Sequence, residues 1–345
     1  MNKPLLILKL GSSSIIKPDG TINDWLMDEV AAQLALLNQQ YRLLLVSSGA
    51  VGFGRSQLKK FSGKLSERKA AAAIGNPILM AKYAESFSKH HLKIAQTLCE
   101  RGHFSDRRKF LQLRETIETL WQNDIIPVAN ENDVVSSLEL KFSDNDELAT
   151  LMAIGFGAQA LMIGTSVDGL LDADNTVVRE INHFTEGIMS LATGEKSVFG
   201  LGGMISKITF ARLATGMGID VFIFNSQQPN GISDALEGKI GTQCKAKRSS
   251  VKARQKWLAS GSIVSGRIEV DEGAGKALQA RKSLLSVGVK TIISDFEKGE
   301  VIEIVINGNQ HSLGVARAKL SSKELNNKLG QANIEVANAS DIVLL

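Results

Sequence analysis

Three glycine-rich turns in this sequence could hold a phosphate group. They are residues 9–14, 47–52 and 200–207, and each ends a predicted strand or opens a predicted helix. At such places backbone N–H groups converge on anions, and small residues let the chain approach a phosphate closely. None has the Walker A spacing, because residues 273–277, which come closest, lack the outer glycine and the Ser or Thr of that pattern. The turns therefore indicate phosphate binding without a P-loop.

Two lysines could supply positive charge to such a phosphate. Lys9 stands within an apolar run, so its ammonium group must emerge at the strand end or meet an anion. Lys207 falls on the first turn of a predicted helix, where the helix dipole disfavours a cation unless a phosphate is also present. Taken singly, each also fits an ordinary solvated lysine.

Two polar clusters could hold a substrate or position the lysines. Residues 130–133 follow an apolar strand directly, and residues 144–147 begin a predicted helix. Polar groups at strand ends suit ligand contact, although Asp144 also fits a helix N-cap and the first cluster also fits a plain turn. Phosphoryl transfer needs mainly positioning and positive charge. Two lysines, turn amides, a magnesium ion and a carboxylate that holds the lysines would together meet that need.

The elements that would position these residues alternate along the first 225 residues. Strands are predicted at 5–10, 42–47, 94–99, 125–130, 160–165 and 220–225, and helices at 23–39, 66–74, 77–91, 105–123, 145–155 and 203–216. This alternation predicts a parallel sheet with helices on its faces. A predicted hairpin at 134–142 divides the pattern into two halves, each of which could bind one substrate.

The end of the chain has a different character. Short strands with turn signals are predicted at 261–270, 291–296, 301–306 and 313–318. They indicate a separate, small, mostly β domain. A chain of 345 residues is also long for one core and comfortable for two.

Composition excludes several classes of protein. With 43% hydrophobic and 22% charged residues the chain reads as globular. Lys9 interrupts the first apolar run, which does not suit a secretory signal, and the longest uncharged stretch, 148–164, is shorter than the ~20 residues of a membrane span. We therefore expect a cytoplasmic protein without membrane segments. Cys99 and Cys244 lie far apart without nearby histidine pairs, which indicates neither a disulfide framework nor a zinc site.

The order of the motifs resembles that of the amino acid kinase family. The motifs are KLGS at 9–12, VSSGA at 46–50, NEND at 130–133, DND at 144–146 and GGM at 202–204 with Lys207. The tail is similar to a PUA domain, on GRIEVDEGA at 266–274, SLL at 283–285 and FEKGEV at 296–301. The resemblance covers the whole chain. It implies an α/β fold, a three-layer αβα sandwich at 1–258 with a substrate half at about 1–150 and a nucleotide half at about 151–258, followed by a small, mostly-β PUA-like domain at 261–345.

The resemblance also implies an activity and its residues. The members most similar to this chain use ATP and Mg²⁺ to phosphorylate the side-chain carboxylate of L-glutamate, which gives L-glutamyl 5-phosphate and begins proline biosynthesis. By this carry-over Lys9 and Lys207 neutralise the phosphoryl group in flight and Asp146 orients them. Glutamate would contact Ser48, Gly49, Asn130, Asp133 and Asn145. The nucleotide would contact Lys9, Gly11, Ser12, Thr165, Ser166, Leu201, Gly202, Gly203, Met204, Ile205, Ser206 and Lys207. No residue is assigned as a metal ligand.

Three positions depart from the family pattern near the expected nucleotide. Ser166 stands where an aspartate is usual, and Leu201 and Ile205 replace small or hydroxylated residues. Each change removes a polar contact, so the affinity and base preference for the nucleotide stay open.

Alternative functions also stay open. Kinases of the same family that act on acetylglutamate, aspartate, carbamate or UMP would use the same lysine pair, although the PUA-like domain favours glutamate. An RNA-binding protein is the alternative from another class, because residues 245–256 carry six of the cations behind the net charge of +4. The low aromatic content of 5% argues against a base-stacking surface, and RNA binding is not expected. Further partners that the resemblance implies are proline as an inhibitor, a reductase that receives the acyl phosphate, and other copies of the chain in a homo-oligomer.

Overall fold

The structure is a computed structural model that describes residues 3–17, 19–135, 144–193, 203–246, 264–307, 312–331 and 333–344. The chain forms two compact units, Met1–His103 with Arg108–Arg248, and Phe104–Arg107 with Ser249–Leu345. The boundary predicted at 258–261 lies outside the described residues and stays a prediction. No helix in the described ranges is long and apolar enough to cross a membrane.

An eight-stranded sheet forms the centre of the first unit. In chain order its strands are β1 Leu5–Leu10, β2 Arg42–Ser47, β3 Lys93–Cys99, β4 Ile125–Glu131, β5 Ala160–Thr165, β6 Glu180–Ile181, β7 Asp220–Asn225 and β8 Thr242–Cys244. Their spatial order is β3-β4-β2-β1-β5-β7-β8-β6. All neighbours run parallel except β7 and β8. The six predicted strands are confirmed, whereas the two- and three-residue strands β6 and β8 were not predicted.

Helices cover the sheet, as the alternating pattern predicted. They are α1 Ser12–Ile15, α2 Asp24–Leu37, α3 Ala50–Arg55, α4 Leu65–Ser88, α5 Gly102–Ser105, α6 Arg107–Gln122, α7 Asn145–Phe156, α8 Glu186–Thr193, α9 Met204–Gly216 and α10 Gly231–Leu236. Every residue of β1 is buried, which is typical of a parallel strand covered on both faces. The predicted hairpin at 134–142 falls mostly on residues 136–143, outside the described part of the chain.

The prediction of a helix break before Pro77 was wrong. Helix α4 is a single helix of 24 residues that contains Pro77. A proline inside a helix leaves the carbonyl group four residues earlier, here that of Ala73, without its usual N–H partner. Because Ala73 and Pro77 are both exposed, water can satisfy this carbonyl group and the helix continues.

Helices α3 and α4 approach each other at two glycines. A Cβ atom added to Gly54 would lie 1.8 Å from the carbonyl oxygen of Ala71, and one added to Gly75 would lie 1.8 Å from that of Ala50. Only glycine allows backbones to come this close. The contact holds the start of α3 beside the middle of α4.

The second unit is mostly β, as predicted. Its elements are β9 Val264–Val270, α11 Glu272–Gln279, β10 Leu284–Leu285, β11 Val289–Ser294, β12 Val301–Ile306, β13 Ser312–Arg317, α12 Ser322–Asn326, β14 Glu335–Ala337 and β15 Ile342–Leu344. Five strands form a sheet in the order β11-β9-β12-β13-β15, and β10 pairs with β14. Ile268, Ile302, Ile304 and Val336 lie in its core.

Candidate active site

The candidate site lies where the central parallel strands end. The carboxyl ends of parallel strands meet at one edge of a sheet, and ligands bind there in open α/β folds. Strand β1 lies between β2 and β5, and its penultimate residue, Lys9, is in register with Val46 and Ile163. Lys9 therefore stands near the middle of this edge.

Two buried lysines converge on one buried carboxylate. Lys9 Nζ lies 2.6 Å from Asp146 Oδ1, and Lys207 Nζ lies 3.0 Å from Asp146 Oδ2. Lys9, Asp146 and Lys207 are only 5%, 0% and 7% exposed. The structure thus brings together all three residues that the resemblance assigned to the phosphoryl group.

The charges of this cluster settle the ionisation of Asp146. Burial acts to raise the pKa of the Asp146 carboxyl group, but attraction to Lys9 and Lys207 outweighs it and holds the pKa below its ordinary value. The carboxylate is therefore ionised at neutral pH. Two ammonium groups and one carboxylate leave a net charge of about +1 in a site shielded from water, which favours an anion.

Asp144 ties the start of α7 to the start of α9. Its Oδ1 accepts hydrogen bonds from the backbone N–H groups of Asp146 and Glu147, at 2.9 and 3.0 Å, so Asp144 is the N-cap of α7. Its Oδ2 accepts a hydrogen bond of 2.5 Å from the Ser206 hydroxyl group on α9. The first turns of α7 and α9 carry Asp146 and Lys207, so this carboxylate fixes the two helices that present them. The sequence had indicated the N-cap but not the bond to Ser206.

Side-chain amides form a second cluster at the ends of β2 and β4. Asn145 Nδ2 lies 2.9 Å from the Ser47 carbonyl oxygen, 2.9 Å from Ser48 Oγ and 3.0 Å from Asn130 Oδ1. Asn130 Nδ2 in turn donates to Asn76 Oδ1 at 3.1 Å. The structure thus brings together three of the five residues expected to hold glutamate, namely Ser48, Asn130 and Asn145.

The other two expected glutamate residues lie in adjoining turns. Gly49 is the N-cap of α3 and has φ +105°, a conformation that other residues rarely adopt. Asp133 is half-buried in the turn that follows β4, three residues beyond Asn130.

Asn76 is a residue of this cluster that the sequence did not predict. It is 6% exposed and bonded to Asn130 on the inner side of α4. The available signal was a lone amide among alanines and glycine at 70–76. The residue was concealed because it fell in the wrongly predicted break between the helices at 66–74 and 77–91.

The expected nucleotide residues surround the ends of β1 and β5. The Gly11 N–H group donates to the Gly164 carbonyl oxygen at 3.4 Å, and a Cβ atom on Gly11 would lie 3.6 Å from Lys9 Nζ. Ser12 begins α1. Thr165 is buried at the end of β5, and Ser166 beyond it is exposed.

The glycine turn before α9 is described only in part. Gly203 is the N-cap of α9, Met204 is buried and Ile205 is 37% exposed. Leu201 and Gly202 lie outside the described residues, so their expected contacts stay predictions.

The site's donor set does not resemble a resident metal centre. In the described ranges no group of three or more His, Cys, Asp or Glu side chains could hold a metal ion. Both oxygens of Asp146 already lie within 3.0 Å of lysine nitrogens. In this structure the Asp146 carboxylate is therefore engaged by the two ammonium groups.

Comparison with known proteins identifies both parts of the chain. Residues 4–225 match the family model described as the Amino acid kinase family, and residues 266–339 match that of the PUA domain. The chain is 33% identical to a glutamate 5-kinase of Streptococcus suis (strain 05ZYH33) over 346 residues, which cover 97% of either protein. It is 36% identical to a glutamate 5-kinase of Bacillus cereus (strain B4264) over 348 residues, which cover 97% of this chain and 95% of that one.

A solved structure shares the fold of the larger part. Carbamate kinase from Giardia lamblia bound to AMP-PNP aligns with a TM-score of 0.52 at 17% identity, covering 71% of this chain and 99% of that chain. At this identity the likeness concerns the fold alone.

Proposed function

Because this chain belongs to the amino acid kinase family, we propose that it transfers the γ-phosphoryl group of ATP to the side-chain carboxylate of L-glutamate. The product is L-glutamyl 5-phosphate, the first intermediate of proline biosynthesis. The observation that carries the proposal is the buried Lys9–Asp146–Lys207 cluster beside the amide cluster of Asn130 and Asn145.

The chemistry needs charge and alignment more than proton transfer. An oxygen of the glutamate carboxylate bonds to the γ-phosphorus while the bond from that phosphorus to the bridging oxygen breaks, and ADP leaves with the electron pair. The attacking carboxylate is already ionised, so no general base is required. This agrees with Asp146, whose two oxygens are engaged by lysines.

The two lysines act on the group in transfer. Lys9 and Lys207 balance the negative charge that spreads over the phosphoryl oxygens, and their burial makes that attraction stronger than it would be in water. Asp146 prevents the two ammonium groups from separating and so orients both. A magnesium ion bound to the ATP phosphates would supply further charge neutralisation.

Each substrate has its own side of the edge. Ser48, Gly49, Asn130 and Asp133, at the ends of β2 and β4, hold glutamate together with Asn145, the first residue of α7. Gly11, Ser12, Thr165, Ser166 and residues 203–207 lie against the nucleotide, and contacts from Leu201 and Gly202 stay predictions. Lys9 on β1 lies between the two groups, where its ammonium group balances the charge of the γ-phosphoryl group during direct transfer from ATP to glutamate.

Trapping of the product with hydroxylamine tests the proposal. Purified protein, magnesium and ATP are incubated separately with glutamate, acetylglutamate and aspartate, and the hydroxamate formed from an acyl phosphate is measured. We expect hydroxamate with glutamate alone. Hydroxamate formed only with acetylglutamate or only with aspartate would mean that this compound, and not glutamate, is the acceptor. No hydroxamate with any acceptor, from protein that unfolds cooperatively, would refute the activity.

Several properties that accompany this function stay predictions. These are a cytoplasmic location, inhibition by proline, delivery of the acyl phosphate to a reductase, and assembly into a homo-oligomer. RNA binding is still not expected, and the basic residues 247–256 that would favour it lie outside the described part of the chain.

A further inference from the structure

The loop after β5 presents a carboxylate that the proposed chemistry does not use. Asp168 Oδ1 accepts hydrogen bonds from Asn225 Nδ2 and Gln228 Nε2, both at 2.9 Å. Asn225 Oδ1 accepts from the Gln227 N–H group at 3.0 Å, which fixes the direction of the Asn225 amide. Asp168 is exposed, and among the described residues no hydrogen bond reaches its second oxygen. One oxygen is thus held in place while the other can accept a ligand.

The loop that carries Asp168 is anchored on a second side. Gly169 has φ +142°, and a Cβ atom there would lie 2.6 Å from Thr242 Oγ1. The Leu170 N–H group donates to the same hydroxyl oxygen at 2.9 Å, and Leu170 is buried. Asn225 at the end of β7 and Gln228 beyond it therefore hold the side chain of Asp168, and Thr242 of β8 holds the backbone next to it. This much restraint on an exposed loop gives the carboxylate a defined position.

The position of Asp168 along the sheet edge suits the sugar of a nucleotide. Its partner Asn225 ends β7 in register with Thr165, which ends β5. Strand β7 is two strands from β1, so the cluster lies about 10 Å from the line of Lys9 at the usual strand spacing. This distance is similar to that between the γ-phosphorus of ATP and its ribose. The Asp168 cluster also lies on the side of β1 away from the glutamate cluster.

We propose that Asp168, held by Asn225 and Gln228, accepts a hydrogen bond from a ribose hydroxyl group of ATP and thereby selects ribonucleotides. The inference rests on the proposed function in placing the ATP phosphates at Lys9 and Lys207. A carboxylate suits a ribose because it only accepts hydrogen bonds, whereas ribose hydroxyl groups can donate them.

Asp168→Asn separates recognition of the ribose from the structure of the loop. The amide oxygen can still accept from Asn225 and Gln228, which leaves an NH₂ group, unable to accept, at the place of the second oxygen. Asp168→Asn should therefore keep the loop in place and lose the ribose contact. Gln228→Ala does the converse, since it removes one loop contact and keeps the carboxylate. Asp174→Asn, an exposed aspartate of the same connection, is the matched control.

The test measures the binding of ATP, 2′-deoxy-ATP and 3′-deoxy-ATP by calorimetry, in the presence of magnesium and without glutamate. In the unaltered protein we expect one deoxynucleotide to bind about 10- to 100-fold more weakly than ATP, the effect of one hydrogen bond to a charged group. Asp168→Asn should weaken ATP binding by a similar factor and abolish the difference between nucleotides. Asp174→Asn should keep the difference, and Gln228→Ala should keep most of it.

Either of two results would overturn the proposal. One is equal binding of all three nucleotides by the unaltered protein, and the other is an undiminished preference for ATP in Asp168→Asn. Because no acceptor is present, the outcome does not depend on which carboxylate is phosphorylated. A preference that depends on Asp168, in a protein that gives no hydroxamate with glutamate, would support this inference and refute the proposed acceptor.

Discussion

Replacing Lys207 by methionine should remove one of the two cations that balance the charge of the phosphoryl group. The side chain keeps most of its length and apolar stem but loses its ammonium group, which lies 3.0 Å from Asp146 and is almost completely shielded from water. A unit charge about 4 Å from another interacts by about 4 kcal/mol at the effective dielectric constant of such sites. Loss of one transition-state stabiliser usually lowers turnover by about 10² to 10³. We therefore expect kcat to fall by that factor.

The assay is the rate of hydroxamate formation at saturating ATP and glutamate, with KM measured for each substrate. KM for glutamate should change little, because Asn130 and Asn145 keep their contacts. Lys239→Met is the matched control, since that lysine pairs with Asp234 and Glu237 at the surface and its loss should leave kcat unchanged. A kcat for Lys207→Met equal to that of the control, in folded protein, would remove Lys207 from the chemistry.

Three further outcomes follow from the same structure. Asp146→Asn should lower the free energy of unfolding by about 3–5 kcal/mol, because it leaves two buried ammonium groups without their counter-charge. This difference in the free energy of unfolding should be complete above the ordinary carboxyl pKa of about 3.9, and it should be lost as the pH falls through the lower pKa of folded Asp146. Urea unfolding of both proteins at a series of pH values measures it. A difference that persisted in strong acid would contradict this expectation. Asp133→Ala should raise KM for glutamate more than KM for ATP, and an equal rise in both, by the hydroxamate assay, would exclude Asp133 as a glutamate ligand. Pro77→Ala should raise the free energy of unfolding by about 1–3 kcal/mol by restoring a helical hydrogen bond, and a lower value in urea would mean that the proline stabilises α4.

The larger elements could be predicted because their patterns are local. The segments that become β1, β2 and β5 are mostly apolar, as strands buried on both faces require, and their bounds were predicted correctly. The short strands β6 and β8 carry no such signal, since pairing alone defines two or three residues as a strand. The helix break before Pro77 was predicted wrongly because a proline inside a helix is tolerated where it is exposed. Its exposure is a property of the folded protein and not of the local sequence.

The candidate site was predictable as a set of residue types but not as a network. Lys9, Asp146 and Lys207 were assigned through the resemblance, since their separations in sequence give no sign that they meet. The bond between Ser206 and Asp144 and the contact between Asn76 and Asn130 span 62 and 54 residues. Contacts at such separations depend on the packing of α4, α7 and α9 at the sheet edge, which no local pattern encodes.

The two glycines between α3 and α4 bear on how this protein can evolve. A side chain at residue 54 or 75 would overlap the carbonyl group of Ala71 or Ala50, and those atoms belong to the backbone and cannot turn aside. Both positions are buried and neither has a side chain to offer a substrate, yet both should tolerate almost no substitution in a mutational scan. The spacing of the helix pair that begins after Gly49 and carries Asn76 is thus closed to gradual remodelling. A lineage that came to prefer a larger or smaller acceptor would therefore change the polar side chains around Asn130 rather than the distance between these two helices.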